Sequence, residues 1–415
     1  MVILLTKIRY QDKFIDMNAN IDPDDNIICN FYIEADDVHK AANVAAGESS
    51  IGTWTEIHTM KKRIERLAAK VFYIDGNNIK IAYPTDMFVD NSIPQLLSDV
   101  AGNILGMKEV SNLRLNSIEL PDRYVDTFKG PAFGMEGVRK LIGTDKGRRP
   151  HVGTIVKPKI GLDPKETAKV AYEAYYGGCD FVKDDENLTD QRFCPFEERI
   201  IKVLDSMDLA REETGERKAY APNVTGPKMI EHSQFVKDHG GNCAMIDIIA
   251  AGYYALQELR DADLGLFLHG HRAMHAAITR NPLHGISMGV IALLSRLGGI
   301  DQLHIGTVIG KMEGGREEVL FNKSELERPL SSMKATFAVC SGGLHPGHVP
   351  KLLDILGNDI VIQAGGGIHG HPDGTIEGAR ALRQAVDAKM KGIDATEYAK
   401  DHPQLKKALE LWGTT

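Results

Sequence analysis

The chain has 415 residues, 43% of them hydrophobic and 26% charged, with a formal net charge of -8. That length and balance suit a globular protein with two domains and a large buried core. The acidic total argues against a nucleic-acid partner, which needs a basic face, but allows a local basic pocket for a small anion.

The first region runs to about Lys129. Ile27 to Ile33 reads as a strand and Ala35 to Ala46 as a helix. Val71 to Tyr83 reads as a hairpin around the turn Asp75-Gly76-Asn77-Asn78. Ile93 to Leu105 reads as a helix and Leu113 to Leu120 as a strand. The order β-α-β-β-α-β predicts a ferredoxin-like α+β domain over residues 1–129.

From Gly153 the pattern becomes a regular alternation. Expected strands are Gly153–Val156, Phe181–Lys183, Ala219–Asn223, Ala244–Ile248, Leu264–Leu268, Gln302–Gly306, Ala335–Val339 and Ile360–Gln363. One intervening helix is well signalled: Asp163 caps it, Pro164 opens it, Glu166 completes a capping box, and Gly177-Gly178 ends it. Met312 to Met333 is the weakest repeat, and no helix can be placed in it well. Eight βα repeats predict a (β/α)8 TIM barrel over residues 130–415, ending in a helical tail, with an open doubly wound sheet as the rival.

Cysteines at 29, 179, 194, 243 and 340 form no C-x-x-C pair and read as reduced thiols. The apolar run Val2 to Leu5 is too short for a signal peptide, and no stretch reaches the length of a membrane span, so the expected location is cytoplasmic.

In a barrel, function collects beyond the carboxyl ends of the strands. Lys157 and Lys159 follow the first strand, and Lys183-Asp184-Asp185-Glu186 ends the second. His269-Gly270-His271-Arg272 ends the fifth. His304 lies on the sixth, with Gly306 to Lys311 after it. Ser341-Gly342-Gly343 and Gly365-Gly366-Gly367 follow the last two.

Asp185 and Glu186 offer hard oxygen ligands suited to Mg2+. Lys183 is anomalous beside them, because an ammonium cannot ligate a cation. The cluster is therefore either a salt-bridged strand end or a site where a neutral Lys183 amine takes up CO2 as a carbamate, a third oxygen ligand. The late glycine turns suit a phosphate held by backbone N–H groups. Arg272, His304 and Lys311 could supply charge for a second phosphate. His269, His271 and His275 invite a zinc reading, but no cysteine is placed to help, and such histidines are more often structural. The glycine-flanked Lys311 loop reads either as a surface turn or as a closing loop that excludes water.

These segments together resemble the large subunit of ribulose-1,5-bisphosphate carboxylase/oxygenase (RuBisCO). The resemblance is carried by Gly47-Glu48-Ser49-Ser50-Ile51-Gly52-Thr53-Trp54-Thr55, Gly102 to Gly106, Lys157-Pro158-Lys159 and Gly178 to Asn187. It continues through His269 to His275, the Lys311 loop, Ser341 to His345 and Gly365-Gly366-Gly367. The stretch H-G-H-R-A-M-H-A-A is more similar to the archaeal, form III-like branch than to the plant form.

The resemblance implies a carbamylated Lys183 that binds Mg2+ with Asp185 and Glu186 and helps remove the C3 proton of ribulose 1,5-bisphosphate. It makes Lys157 an acid–base residue supported by Lys159, and His271 a contact to the sugar hydroxyls. Ser341 would hydrogen-bond the sugar. Arg272 and His304 would hold one phosphate, and Thr53, Trp54, Gly343, Gly365 and Gly366 the other. Lys311, oriented by Glu48, would stabilise the carboxylated intermediate. Glu48, Thr53, Trp54 and Asn103 would reach a neighbouring subunit, so a homodimer is the smallest expected active unit, without a small subunit. CO2 and O2 would compete. The stretch between Lys311 and Ser341 looks shorter than in many relatives, which bears on the sixth helix and loop closure. The alternatives are a RuBisCO-like enolase or isomerase, and a non-catalytic sugar-phosphate-binding protein.

Overall fold

The computed structural model describes residues 13–53, 58–309 and 315–414. Contacts divide the chain into two units. The first takes the chain up to Phe128 with Met274–Leu294 and Leu330–Met333; the second takes Lys129–Ala273, Ser295–Pro329 and Lys334–Thr415.

In the first unit, β1 (Asn26–Glu34), β2 (Lys70–Asp75), β3 (Asn78–Pro84) and β4 (Asn112–Glu119) form an antiparallel sheet with β1 between β3 and β4. Gly76 turns the β2–β3 hairpin with φ of 56°, a conformation that costs glycine little. Helices Val38–Glu48 and Ile93–Val100 complete the ferredoxin-like order.

Two helix boundaries differ from expectation. The Asp37 side chain accepts a hydrogen bond from the Lys40 N–H, so the first helix starts at Val38 rather than Ala35. The second stops at Val100. A Cβ at Gly102 would lie 2.1 Å from the Ser98 carbonyl oxygen, and the chain turns there before a separate 3-10 turn, Asn103–Gly106.

The second unit is a parallel barrel. Its strands are β5 (His151–Ile155), β6 (Phe181–Lys183), β7 (Ala219–Ala221), β8 (Cys243–Asp247), β9 (Phe267–His271), β11 (Gln302–His304), β12 (Phe337–Ser341) and β13 (Ile360–Gln363). They pair in the order β7-β6-β5-β13-β12-β11-β9-β8. A parallel bridge between Asn223 and Met245 joins the two ends and closes the ring, which decides against an open sheet. The short β10 (Gly285–Ile286), between β9 and β11 in sequence, instead pairs with β4 in the first sheet.

Phe181, Ala221, Met245, Phe267, Phe337 and Val361 pack together inside the barrel with Val138 and Ile142. The last two belong to helix Gly134–Ile142. Asp301, just before β11, accepts hydrogen bonds from the Phe133 and Gly134 N–H groups at 2.7 and 2.6 Å. These bonds hold that helix across the amino-terminal mouth. The Asp163–Glu166 capping box forms as expected.

Two strands lie further along the chain than expected. The fifth begins at Phe267, not Leu264, because Asp263 and Gly265 take positive φ of 47° and 68° and keep the chain in a turn. The seventh is Phe337–Ser341 rather than Ala335–Val339, with Ser341 paired to Gln363. Both shifts move His269, His271 and Ser341 onto the strands themselves. The weakest repeat contains a helix, Arg316–Glu327.

Candidate active site

Lys183 is the last residue of β6 and points inward with Phe181, two positions back. It is 1% exposed. Its Nζ donates to the Asp184 carbonyl oxygen at 2.8 Å, lies 3.5 Å from Met245 Sδ, and is 3.7 Å from Glu186 Oε2. Burial lowers its pKa, against the pull of Glu186, Asp185, Asp247 and Asp184. Glu186 is thus the carboxylate paired with this buried amine among the described residues, at a distance longer than a hydrogen bond.

The neighbouring acids have separate tasks. Asp184 accepts hydrogen bonds from Tyr220 Oη (2.7 Å), Arg199 Nε (3.2 Å) and the Asn223 N–H (3.0 Å), which anchors the strand end. Asp185 accepts from Lys157 Nζ at 2.7 Å and Asn187 Nδ2 at 2.9 Å. Burial alone would raise the Asp185 pKa; the Lys157 and Asn187 donors outweigh it and hold the carboxyl below its ordinary value.

His271 joins this cluster from β9. Its Nδ1 lies 3.0 Å from Asp247 Oδ1 and its Nε2 3.6 Å from Glu186 Oε2. Asn223 Nδ2 donates to the Glu186 carbonyl oxygen at 3.0 Å. Asp247 and Asn223 escaped the sequence reading. Each is the first polar side chain at the carboxyl end of its strand, which is the signal that could have found it.

On the far strands, His304 Nδ1 lies 2.8 Å from Ser341 Oγ. Arg272 is buried, and burial lowers its pKa to about 10. Gly306 has φ of 93°, and a Cβ there would come within 2.9 Å of an Arg272 guanidinium nitrogen. Gly343 has φ of 76°. A Cβ on Gly365 would stand 3.2 Å from Lys157 Cε. Glycine thus lets the backbone approach both cations closely.

Lys159 is exposed, as is Asn103 at the start of its 3-10 turn. Glu48, at the end of its helix, and Thr53 are half-buried. Glu48, Thr53 and Asn103 belong to the first unit. Trp54 and Lys311 lie outside the described residues. His275 Nδ1 is 3.0 Å from Thr279 Oγ1.

Among the described residues no three His, Cys, Asp or Glu side chains group as metal ligands. Asp185 and Glu186 nevertheless provide two hard oxygen donors beside the Lys183 nitrogen. A buried amine with a lowered pKa is suited to react with CO2 in its neutral form, and the resulting carboxylate would complete a set fit for Mg2+.

Residues 135–412 match the family of the ribulose bisphosphate carboxylase large chain, catalytic domain, and residues 13–124 match its N-terminal domain. The chain belongs to the RuBisCO large-chain family. It is 48% identical to the ribulose bisphosphate carboxylase of Methanocaldococcus jannaschii, over 96% of this chain and 99% of that one. The octameric Rubisco of Pyrococcus horikoshii OT3, solved with sulfate, superposes with a TM-score of 0.94 at 45% identity, over 100% of this chain and 99% of that one. The dimeric archaeal Rubisco of Hyperthermus butylicus gives 0.92 at 41% identity, over 97% and 99%. The RuBisCO family thus accounts for both the barrel and the ferredoxin-like unit.

Proposed function

We infer that the protein is a Mg-dependent ribulose-1,5-bisphosphate carboxylase/oxygenase of the archaeal type. The observation that carries this reading is the buried Lys183 amine beside Asp185 and Glu186, with Lys157 held on Asp185.

Taking up CO2, the neutral Lys183 amine forms an N–C bond and releases a proton. That carbamate, Asp185 and Glu186 would hold Mg2+. The ion would supply charge stabilisation for enolisation of the substrate. Lys183, as its carbamate, would accept the C3 proton. Lys157, 2.7 Å from Asp185, holds a proton at Nζ where it can serve the enediolate oxygen. His271, oriented by Asp247, assists proton transfer at the sugar hydroxyls. Ser341 hydrogen-bonds the sugar. Arg272 binds one phosphate, while His304, also expected there, has both ring nitrogens engaged by His269 Nε2 and Ser341 Oγ. Gly343, Gly365 and Gly366 bind the other through their N–H groups, with Thr53 and Trp54. CO2 adds to the enediolate, and hydration and cleavage of the C2–C3 bond yield two 3-phosphoglycerates. O2 competes for the same intermediate.

The smallest active assembly is a homodimer without a small subunit, in which Glu48, Thr53, Trp54 and Asn103 of one copy complete the site of the other. Relatives solved as a dimer and as an octamer support an assembly of this kind. Lys311, oriented by Glu48, stabilises the carboxylated intermediate, and Lys159 supports Lys157. The described cysteines are all free and buried, which suits the reducing cytoplasm.

The test is anaerobic incorporation of labelled CO2 into 3-phosphoglycerate after preincubation with CO2 and Mg2+. Incorporation that depends on the preincubation supports both the reaction and the carbamate. No incorporation by folded protein that binds the bisphosphate would replace this reading with a non-carboxylating enolase.

A further inference from the structure

A line of hydrogen bonds crosses the barrel interior to the pocket. Gln302 Oε1 lies 2.9 Å from His269 Nδ1. His269 Nε2 lies 2.9 Å from His304 Nε2. His304 Nδ1 lies 2.8 Å from Ser341 Oγ. Gln302 and His269 are fully buried, His304 is 2% exposed, and Ser341 is half-buried at the carboxyl end of β12.

With Gln302 Oε1 facing His269, the proton count along this line follows. Burial holds both imidazoles well below the ordinary histidine value. Each ring is therefore neutral and carries a single N–H. The two rings and the serine hydroxyl bring three protons to three contacts. A carboxamide oxygen only accepts. His269 must then donate from Nδ1 to Gln302 and accept at Nε2. His304 must donate from Nε2 and accept at Nδ1. Ser341 must donate its proton inward to His304, leaving its oxygen lone pairs for the pocket.

We propose that Gln302 is a positioning residue that sets the proton order of this line, so that Ser341 meets the substrate as a hydrogen-bond acceptor. Its partner is then a substrate hydroxyl and not an oxyanion. The polarity of a pocket residue is set from the middle of the barrel. Among the described residues Gln302 Nε2 is buried with no hydrogen-bond partner, so His269 is the group whose proton is matched to the face the amide turns to it. Were the amide reversed, every proton in the line would reverse and Ser341 would present a donor. The consequence for substrate rests on the placement of Ser341 at the sugar under Proposed function; the proton order does not.

The test is 15N NMR of the full-length, ligand-free protein with labelled histidine, assigned by His269→Asn and His304→Asn variants. The expected result is His269 protonated at Nδ1 and His304 at Nε2. The opposite pair of tautomers overturns the proposal. Gln302→Leu removes the acceptor, and both rings should then show mixed tautomers. The same variant should raise KM for ribulose 1,5-bisphosphate about tenfold with little change in kcat, the pattern of lost uniform binding. Tautomers and KM unchanged in that variant also overturn it. Should Gln302→Leu fail to fold, the wild-type tautomers still decide. Unchanged KM in Ser341→Ala would refute the sugar contact, and with it the substrate half of the proposal, while the NMR result separately judges the proton order.

Discussion

The two ends of the barrel treat buried charge in opposite ways. At the amino-terminal end, Arg149 grips Asp180 with two hydrogen bonds of 2.6 Å, and Asp180 also accepts from the Val152 N–H at 2.9 Å. Arg139 donates to Asp359 at 2.7 Å and to the Asn358 and Arg149 carbonyl oxygens. At the carboxyl end, the buried Lys183 amine has a carbonyl, a thioether and a carboxylate 3.7 Å away. Bidentate pairing makes a buried charge tolerable and keeps it in place. Loose pairing leaves a buried amine free to lose its proton and react. The same fold thus carries a structural end and a chemical end.

The sharpest way to break this comparison is Lys183→Ala. It should abolish labelled-CO2 incorporation while the protein still folds with an unchanged urea midpoint. Retained Mg-dependent turnover would sink the carbamate assignment. Asp180→Asn should do the reverse. Removing one partner of this buried pair should cost about 3 kcal/mol in urea unfolding, with kcat/KM of the folded protein preserved.

The Asp180 pair also has a pH signature. Burial alone would raise the Asp180 pKa, but the Arg149 charge and hydrogen bonds outweigh it and hold the carboxyl well below the carboxylate range. Its contribution is therefore present above the unfolded value of about 3.9 and is lost as pH falls toward the folded value. Asp180→Asn should flatten this acid limb of stability.

His151 acts at a higher pH. Burial lowers its pKa to about 3. Below about pH 6.5 the unfolded chain binds a proton that the folded chain refuses, so stability falls between that pH and about 3. His151→Gln should make urea stability less steep there by about 1.4 kcal/mol per pH unit. An unchanged slope would mean the imidazole is protonated in the fold.

The smallest effect is expected at Gly306→Ala. Positive φ and the approach of Arg272 oppose a Cβ there. A loss of about 1 kcal/mol is expected, read as a severalfold rise in KM for the bisphosphate. Equal KM would separate Arg272 from phosphate binding.

Much of this protein was legible from local signals. The Asp163–Glu166 capping box, the Asp75–Asn78 turn and the βα alternation are short-range, because each depends on residues a few positions apart. The Lys183-Asp184-Asp185-Glu186 segment read as either a salt-bridged strand end or a carbamate site, and the family resemblance was what favoured the second. The helix Arg316–Glu327 was not legible. Its buried face includes Asn322 and Glu325, while Leu320 and Phe321 are exposed. Its hydrophobic pattern is mixed: Val319 and Leu326 are buried beside two polar residues, of which Asn322 donates to the Ile305 carbonyl oxygen and Glu325 accepts from Arg328.

By itself the sequence determined the eightfold βα alternation and the family resemblance. Those follow from periodicity and from short motifs, each confined to residues close in sequence. Only the tertiary structure decided that Asp184 anchors while Asp185 meets Lys157. It alone gave His271 its partner Asp247 and lined up Gln302, His269, His304 and Ser341. Those contacts join strands far apart in sequence, and the register of the closed ring, which no local pattern encodes, sets which side chains meet.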